Sequence, residues 1–498
     1  MRKIIFILSA LSFLAIIETS CSKDWLNTVP SSSVTVSSLK SIAGADILIT
    51  GTNRYRFAND GANASIHQMS GGEKSTDLCL DALAFDFTET DNMGYEQYWG
   101  VGQELHHTMD NSPFVNVAWY HPYRMIDNVN QLLSFIDEIE DGNNDQRAFY
   151  KAQALVYRAH YYHRLVQTYG KPYHTDPNSP GVPLIVTLSI KPTPRSTVAE
   201  VYTQIKTDLK LAEKLFTNNS VVRRDKTMAD LSVVQGLLAR VYSCTRQWDS
   251  VAYYASLART SYPLMSKSEW RSGFNKVNDE WMWATIAPAD EHQKAANFFS
   301  FISNGKGYPE AWGYENGVSK ELFDHADTSD SRFYGISSAS GTPMAVDKIA
   351  SDGIIAYYKF FLDGVNDFGI PYMRGAEMLL LEAEAKANRG NESGAKELLL
   401  ELLNARTNNA TALVNAVTDV ISEIKLQRRM EFWCEGFGYY DLKRWGDGIP
   451  AGGRGNGQRD EHNGRAAKQA IPATDGYFLW LIPKSELDAN PLCTQNIY

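Results

Sequence analysis

The sequence predicts a mainly α-helical fold in which helical hairpins support long loop-rich insertions. Apolar residues recur every three or four positions through stretches such as residues 119–140, which is the period of an amphipathic helix. Residues 229–260 and 372–406 each read as two helices joined by a short turn, a pattern typical of tetratricopeptide-like repeats. Residues 59–112 and 262–370 lack this period, and their glycine, asparagine and aromatic residues indicate long ordered loops.

The N-terminus has the pattern of an export signal. Two basic residues precede an apolar run over residues 4–17, which is too short to span a bilayer and fits a signal peptide over residues 1–20. Cys21 follows directly and indicates a bacterial lipoprotein whose thiol carries lipid, with residues 21–40 as a lipidated tether. Without the lipid, the same pattern would describe a secreted periplasmic protein.

The helices have recognisable start and stop signals. Gly170 and Pro172 mark the end of one helix, and Thr197 with Glu200 three residues later forms a capping box at the start of the next. The helices before the C-terminal region are predicted at residues 39–54, 119–140, 146–169, 197–216, 229–244, 248–260, 372–388 and 392–406.

Composition and motifs exclude several classes of function. The net charge is −10 and no basic run occurs, which argues against a nucleic-acid surface. The sequence has no GxSxG, HExxH or phosphate-binding glycine loop, and no zinc-type cysteine spacing. We therefore predict no catalytic residue, no metal site and no cofactor. An exported protein can form disulfides, but a core of this size does not need one. We therefore expect the cysteines after Cys21 to be buried free thiols.

Residues 428–446, RRMEFWCEGFGYYDLKRWG, interleave charged and aromatic side chains on several sides of a helical turn. Charges among so much aromatic surface are expected to be half-buried, and such charges must be paired. Their spacings of three and four residues would let them meet on a helix that stops at Gly436, before a second short helix. We interpret this signature stretch as a structural ion-pair knot. The residues assigned to the knot are Arg428, Arg429, Glu431, Glu435, Asp441 and Arg444.

The signature stretch resembles that of the SusD/RagB family, whose pattern is approximately ERRxELxxEGxRxxDLxRWG. Gln427 and Gly438 depart from the pattern, because the family usually has glutamate and arginine there. If the family arginine pairs with one of the acids, this chain lacks that partner. Residues 157–186 and the terminal block 477–498, with an aromatic-Ile-Pro strand, also resemble the family. The matching signature positions are Arg428, Arg429, Glu431, Glu435, Gly436, Asp441, Leu442, Arg444, Trp445 and Gly446.

The resemblance implies a tetratricopeptide-like helical superhelix with long loop-rich insertions, forming a single SusD-like domain over residues 41–498. It also implies a surface-exposed, lipid-anchored protein of the cell outer membrane. Such a protein captures an oligosaccharide without covalent chemistry and passes it to a SusC-like TonB-dependent transporter. The helical scaffold is expected at about 41–58, 119–260 and 371–446, and the loop-rich recognition segments at about 59–118 and 262–370.

The recognition segments hold the residues best suited to a sugar. Tryptophan and tyrosine rings can cover the C–H faces of a sugar, while polar side chains bond its hydroxyls. The same rings could instead fill the underside of the loops. Two other functions stay open: a peptide ligand, as in some RagB-like members, or an assembly scaffold without a small ligand. The candidate ligand-binding residues are Asn92, Tyr95, Tyr98, Trp99, Asn304, Tyr308, Trp312 and Tyr314.

Overall fold

The computed structural model describes residues 39–57, 71–89, 107–291, 297–304, 309, 316–333, 336–337, 343–344, 355–362, 367–450 and 470–497. The fold is mainly helical, as the sequence predicts. The helices are α1 (Ile42–Arg54), α2 (Glu73–Leu83), α3 (Pro113–Phe135), α4 (Asn144–Tyr169), α5 (Val198–Thr217), α6 (Leu231–Cys244), α7 (Trp248–Arg259), α8 (Lys267–Trp270), α9 (Phe298–Ile302), α10 (Lys320–His325), α11 (Gly375–Asn388), α12 (Glu392–Asn404), α13 (Ala410–Ala416), α14 (Val420–Glu431), α15 (Gly438–Trp445) and α16 (Lys484–Ala489).

The described strands are short and antiparallel, and the sheets β1-β5-β8 and β4-β9 join parts of the chain that are distant in sequence. One sheet has the order β1-β5-β8, and the other strands form the pairs β2-β3, β4-β9 and β6-β7. The strands are β1 (Phe87–Glu89), β2 (Pro180–Pro183), β3 (Arg195–Thr197), β4 (Trp281–Ala287), β5 (Asn316–Val318), β6 (Ile336–Ser337), β7 (Pro343–Met344), β8 (Ile355–Ala356) and β9 (Phe368–Arg374).

Both predicted hairpins are confirmed. Helix α6 packs on α7, α11 packs on α12, and α7 also packs on α11. Gly236 on α6 lets this helix approach β9 and α11, because a Cβ there would lie 2.4 Å from the sulfur of Met373 and 3.2 Å from that of Met378. The capping box at the start of α5 is confirmed as well: Thr197 accepts a hydrogen bond from the backbone of Glu200, whose side chain bonds back to residue 197.

The prediction of loops throughout residues 59–112 is wrong for α2. All eleven residues of this helix are buried. The sequence analysis missed it because its first five residues are all polar and resemble part of a loop, although no face of α2 meets solvent. Its buried charges are paired instead: Glu73 lies 2.9 Å from Arg56, and Asp77 lies 2.7 Å from Arg164.

Two predictions about the C-terminal region also need correction. Helix α14 ends at Glu431 and not at Gly436, so Glu435 lies in the turn that leads to α15. Cys434 and Gly436 have φ angles of 57° and 90°, which lets the chain reverse within a few residues. The predicted aromatic-Ile-Pro strand is not formed, since residues 476–478 are a 3-10 turn and residues 479–483 are not in a strand.

Candidate ligand-binding region

The sheet β1-β5-β8 brings together the roots of the two segments that contain the candidate ligand-binding residues. Strand β1 pairs with β5 in antiparallel register, with Phe87 opposite Val318 and Glu89 opposite Asn316. Glu89 directly precedes residues 90–106, and Asn316 directly follows residues 305–315. The first segment therefore leaves the sheet at the point where the second enters it.

Asn304 needs correction as a ligand contact. It is 2% exposed, and its side-chain nitrogen donates to the carbonyls of Asn316 and Tyr357 at 2.7 and 3.0 Å. Its side-chain oxygen accepts from the backbone N–H of Asn316 at 2.8 Å. Both ends of the Asn304 amide therefore form hydrogen bonds inside the protein. Asn304 links the two ends of residues 305–315 and does not face a ligand.

The remaining candidate contacts lie outside the described residues, as does Cys21. For these residues the structure supplies the position of the segment roots, and their roles stay predictions. The candidates concerned are Asn92, Tyr95, Tyr98, Trp99, Tyr308, Trp312 and Tyr314.

The signature stretch fastens this sheet to the helical scaffold. The ring of Trp433 packs edge-on against Phe87 and Tyr357, with centroids 5.8 and 4.7 Å apart. Its indole N–H donates to the carbonyl of Asp86 at 2.8 Å. Arg429 forms two hydrogen bonds of 2.7 and 2.8 Å with the Asp86 carboxylate. The signature stretch thus holds Asp86, which precedes β1, and Phe87, which begins it.

Glu431 and Glu435 belong to a buried cluster of alternating charges. Arg374 is at its centre, with one guanidinium nitrogen 2.8 Å from Glu431 and another 2.8 Å from Glu435. Arg406 contacts Glu431 at 2.8 Å, and Lys359 contacts Glu435 at 2.6 Å. Burial alone would raise the pKa of Glu435, but the charges of Arg374 and Lys359 outweigh it and lower that pKa. The cluster therefore keeps its acids ionised without access to water.

The acids and bases of a second group also neutralise one another. Asp441 accepts from Arg428 at 3.0 Å and from Arg444 at 2.7 Å, and Arg444 also pairs with Glu384 at 2.5 Å. Burial opposes ionisation of Asp441, but the two guanidinium groups lower its pKa. All six residues assigned to the knot thus lie in ion pairs, which is the geometry expected of residues that stabilise the fold.

The two departures from the family pattern have different consequences. Gln427 accepts from Arg332 at 2.7 Å, so an amide stands in the place of a carboxylate. At Gly438 the backbone N–H donates to Asp81 at 2.9 Å, and Gly436 donates to the other oxygen at 2.7 Å. Burial raises the pKa of Asp81 to about 8. Asp81 is therefore the acid beside the position where the family usually has arginine.

Sequence reasoning missed the partners of the knot. They lie outside the signature stretch, on helix α11, on strand β9 and in several turns and loops, and each is a single charged residue without a motif around it. A charge inside a hydrophobic stretch, such as Arg374 within YMRGAEMLLL, is the one signal that could have marked a buried ion pair. The missed partners are Asp86, Glu280, Arg332, Lys359, Arg374, Glu384 and Arg406.

The described residues contain no group of three or more His, Cys, Asp or Glu side chains that could hold a metal ion. No helix in the same ranges is long and apolar enough to cross a membrane. Cys79, Cys244, Cys434 and Cys493 are buried.

These features define a helical scaffold protein in which a buried ion-pair core supports a small sheet that carries two long segments. Residues 63–243 match a family model described as "Starch-binding associating with outer membrane", and residues 261–498 match the model of the SusD family. A SusD-like protein from Formosa agariphila is 23% identical over 438 residues, which cover 76% of this chain and 79% of that protein. The chain belongs to the SusD/RagB family.

Solved structures have the same fold. A SusD-like carbohydrate binding protein from Bacteroides vulgatus superposes with a TM-score of 0.73 at 24% identity, covering 91% of this chain and 97% of that one. A SusD superfamily protein from Bacteroides thetaiotaomicron gives a TM-score of 0.73 at 21% identity, covering 92% and 100% of the two chains. The likeness therefore extends over nearly the whole chain.

Proposed function

We propose that this protein is a cell-surface glycan-binding lipoprotein that captures an oligosaccharide and delivers it to a SusC-like TonB-dependent transporter. The observation that carries the proposal is the family match, whose two models together span residues 63–243 and 261–498. The Bacteroides vulgatus structural neighbour is named for carbohydrate binding. No covalent step is proposed, because capture and release need only reversible contacts. The lipid on Cys21 would hold the protein at the outer membrane.

The ligand would meet residues that extend from the sheet β1-β5-β8. The register of Glu89 against Asn316 supports this location, because two segments that leave the scaffold at one place can both reach a single ligand. The aromatic side chains of residues 90–106 and 305–315 would stack on sugar faces. Buried aromatic and ionic contacts beneath the sheet would keep the two roots at a constant separation.

A glycan array probed in parallel with a peptide library tests the ligand class. We expect the purified chain without residues 1–20 to retain oligosaccharides and to ignore peptides. Selective retention of peptides would replace the glycan by a peptide ligand, and binding to neither would favour an assembly scaffold. A neighbouring gene for a large β-barrel transporter, with glycoside hydrolases beside it, would support the proposed partner.

A further inference from the structure

The two segments that contain the candidate ligand-binding residues meet at a very short strand ladder. Strands β1 and β5 pair over three residues only, ending where Glu89 lies opposite Asn316. The middle residue of β5 is Gly317, which has no side chain to fix the register. The backbones of β1 and β5 alone therefore determine the relative position of the two segments only weakly.

Side chains extend this ladder by one more pair. Asp86 precedes β1 and Ser319 follows β5, so these two residues are the next neighbours in the antiparallel register. The Ser319 hydroxyl donates to Oδ1 of Asp86 at 3.2 Å. Ser319 is also the N-cap residue of α10, but its side chain makes no capping hydrogen bond. A group that usually caps a helix is thus used to link the two strands.

Arg429 connects this pair to α10 as well. Its Nε and Nη2 atoms donate to the two oxygens of Asp86 at 2.8 and 2.7 Å, and Nη2 also donates to Glu321 at 2.7 Å. Glu321 lies on α10, two residues after Ser319. The planar guanidinium group fixes both the distance and the orientation of its two acids, which the point charge of a lysine does not. One side chain on α14 therefore holds the residues before β1 and after β5.

The register of these strands matters because contact with an aromatic ring is short-ranged. A slip of one residue moves a strand by about 3.4 Å along its neighbour, and apolar atoms are in contact only within about 4.0–4.5 Å. The same slip turns the side chains of that strand to the opposite face of the sheet. A ring on one segment would then no longer stack on a glycan that the other segment holds.

We propose that Arg429 is a positioning residue for the ligand, because it sets the register of β1 against β5 and thereby the separation of residues 90–106 and 305–315. This role rests on the proposed function, since it concerns the same ligand-binding region. A constant separation favours an oligosaccharide long enough to contact both segments over a sugar that reaches only one. Arg429 thus contributes to the selection of glycan length by acting through the two strands.

Calorimetry with a glycan selected from the array tests the role of Arg429. Arg429→Gln should weaken binding roughly tenfold, which is the effect of losing one stacked ring. In that background at least one of Trp99→Ala and Trp312→Ala should cause no further loss, because its ring no longer meets the glycan. A purely structural role would leave both additional losses unchanged. Glu321→Ala changes an acid that is half exposed, so this variant should fold normally and show a smaller loss of the same kind.

Arg259 on α7 supplies a matched control. It joins a buried acid, Glu382, to a half-exposed one, Glu401, at 2.9 and 2.8 Å, much as Arg429 joins its two acids. Arg259→Gln and Glu401→Ala should therefore lower the stability of the fold to a similar degree as the two variants beside the sheet. Both controls should bind the glycan with native affinity.

Amide hydrogen exchange provides a measurement that needs no glycan. Exchange at residues 87–89 and 316–318 should be faster in Arg429→Gln than in the native protein and in Arg259→Gln. Native affinity in Arg429→Gln, an equal loss of affinity in Arg259→Gln, or unchanged exchange would overturn the positioning role alone. A native protein that binds no glycan would overturn the proposed function, and the positioning role with it.

Discussion

Glu435 shows what a single buried charge does in this protein. It is 6% exposed and paired with both Arg374 and Lys359. Glu435→Gln leaves Lys359 without its acid, whereas Arg374 keeps Glu280 and Glu431. Breaking a buried pair in this way costs about 3–5 kcal/mol. We therefore expect a clear loss in the free energy of unfolding, measured by denaturant titration.

Glu138→Gln is the matched control for this change. Glu138 pairs with Lys40 on the surface, where both side chains are about half exposed or more. Solvent screens such a pair, so the control should unfold almost like the native protein. A Glu435→Gln variant with native stability but without ligand binding would show that Glu435 belongs to the ligand site and does not stabilise the fold.

Asp81 gives a prediction about pH. Burial raises its pKa to about 8, well above the ordinary value for an aspartate. The folded state therefore holds a proton that the unfolded state releases, and this contribution is complete below about pH 4 and is lost as the pH rises through about 8. The slope between these limits is at most about 1.4 kcal/mol per pH unit.

Asp81→Asn removes the titrating group and should flatten this part of the stability curve. Free energies of unfolding measured for both proteins at pH 5, 7 and 9 would show it. Parallel curves would mean that the hydrogen bonds from Gly436 and Gly438 keep Asp81 ionised in the folded protein.

Among the secondary-structure elements, the sequence predicted the helices that local residue patterns mark. It missed the features that depend on contacts with distant residues. The α6–α7 and α11–α12 hairpins follow from amphipathic periods, and α5 from its capping box. Helix α2 was missed because its first five residues are polar, and nothing in the local sequence shows that they are buried and paired. The ionic partners of the knot were equally hidden, since pairs such as Arg374 with Glu435 are 61 residues apart.

The turn between α14 and α15 allows a paired glycine test. Gly436 and Gly390 both have positive φ, 90° and 78°, which disfavours alanine at either position. A Cβ at Gly436 would lie 2.4 Å from the carboxyl carbon of Asp77, whereas one at Gly390 would have nothing within 4 Å. Gly390→Ala should therefore cost about 1–2 kcal/mol for backbone strain alone.

Gly436→Ala should cost a further 1–3 kcal/mol, roughly, because Asp77 must move away from its ion pairs. Denaturant unfolding of both variants measures the difference. Equal losses at the two glycines would show that α2 can shift away from the turn without cost, and that the close approach of Gly436 to Asp77 is not a constraint on the fold.

At the scale of the whole molecule, attachment to the membrane is predicted from one residue. Cys21 follows an apolar signal run, and the described helices include none able to cross a membrane. Cys21→Ala should move the protein from the membrane fraction to the soluble fraction, as judged by immunoblotting of separated membranes. Cys493→Ala, which removes a buried thiol, is the control. Unchanged fractionation of Cys21→Ala would contradict the lipid anchor.

The ligand is also a property of the whole molecule, because Trp99 and Trp312 belong to segments more than two hundred residues apart in the sequence. The pairing of Glu89 with Asn316 brings the roots of these segments together, so one oligosaccharide could contact both rings. Stacking on an aromatic ring contributes about 1–2 kcal/mol, or roughly tenfold in affinity. Trp99→Ala and Trp312→Ala should each weaken binding of a glycan selected from the array by that factor, with little change in melting temperature.

A variant that combines Trp99→Ala with Trp312→Ala decides whether the two rings share a ligand. Losses of binding free energy at independent contacts to one ligand add. We expect calorimetry to show roughly a hundredfold weaker binding in the double variant, by adding the two single losses. Tyr253→Ala, which removes an aromatic side chain 59% exposed on α7, is the control and should bind normally. Native affinity in both single variants would exclude these rings as the sugar platforms, whereas a loss in only one would place the ligand on a single segment.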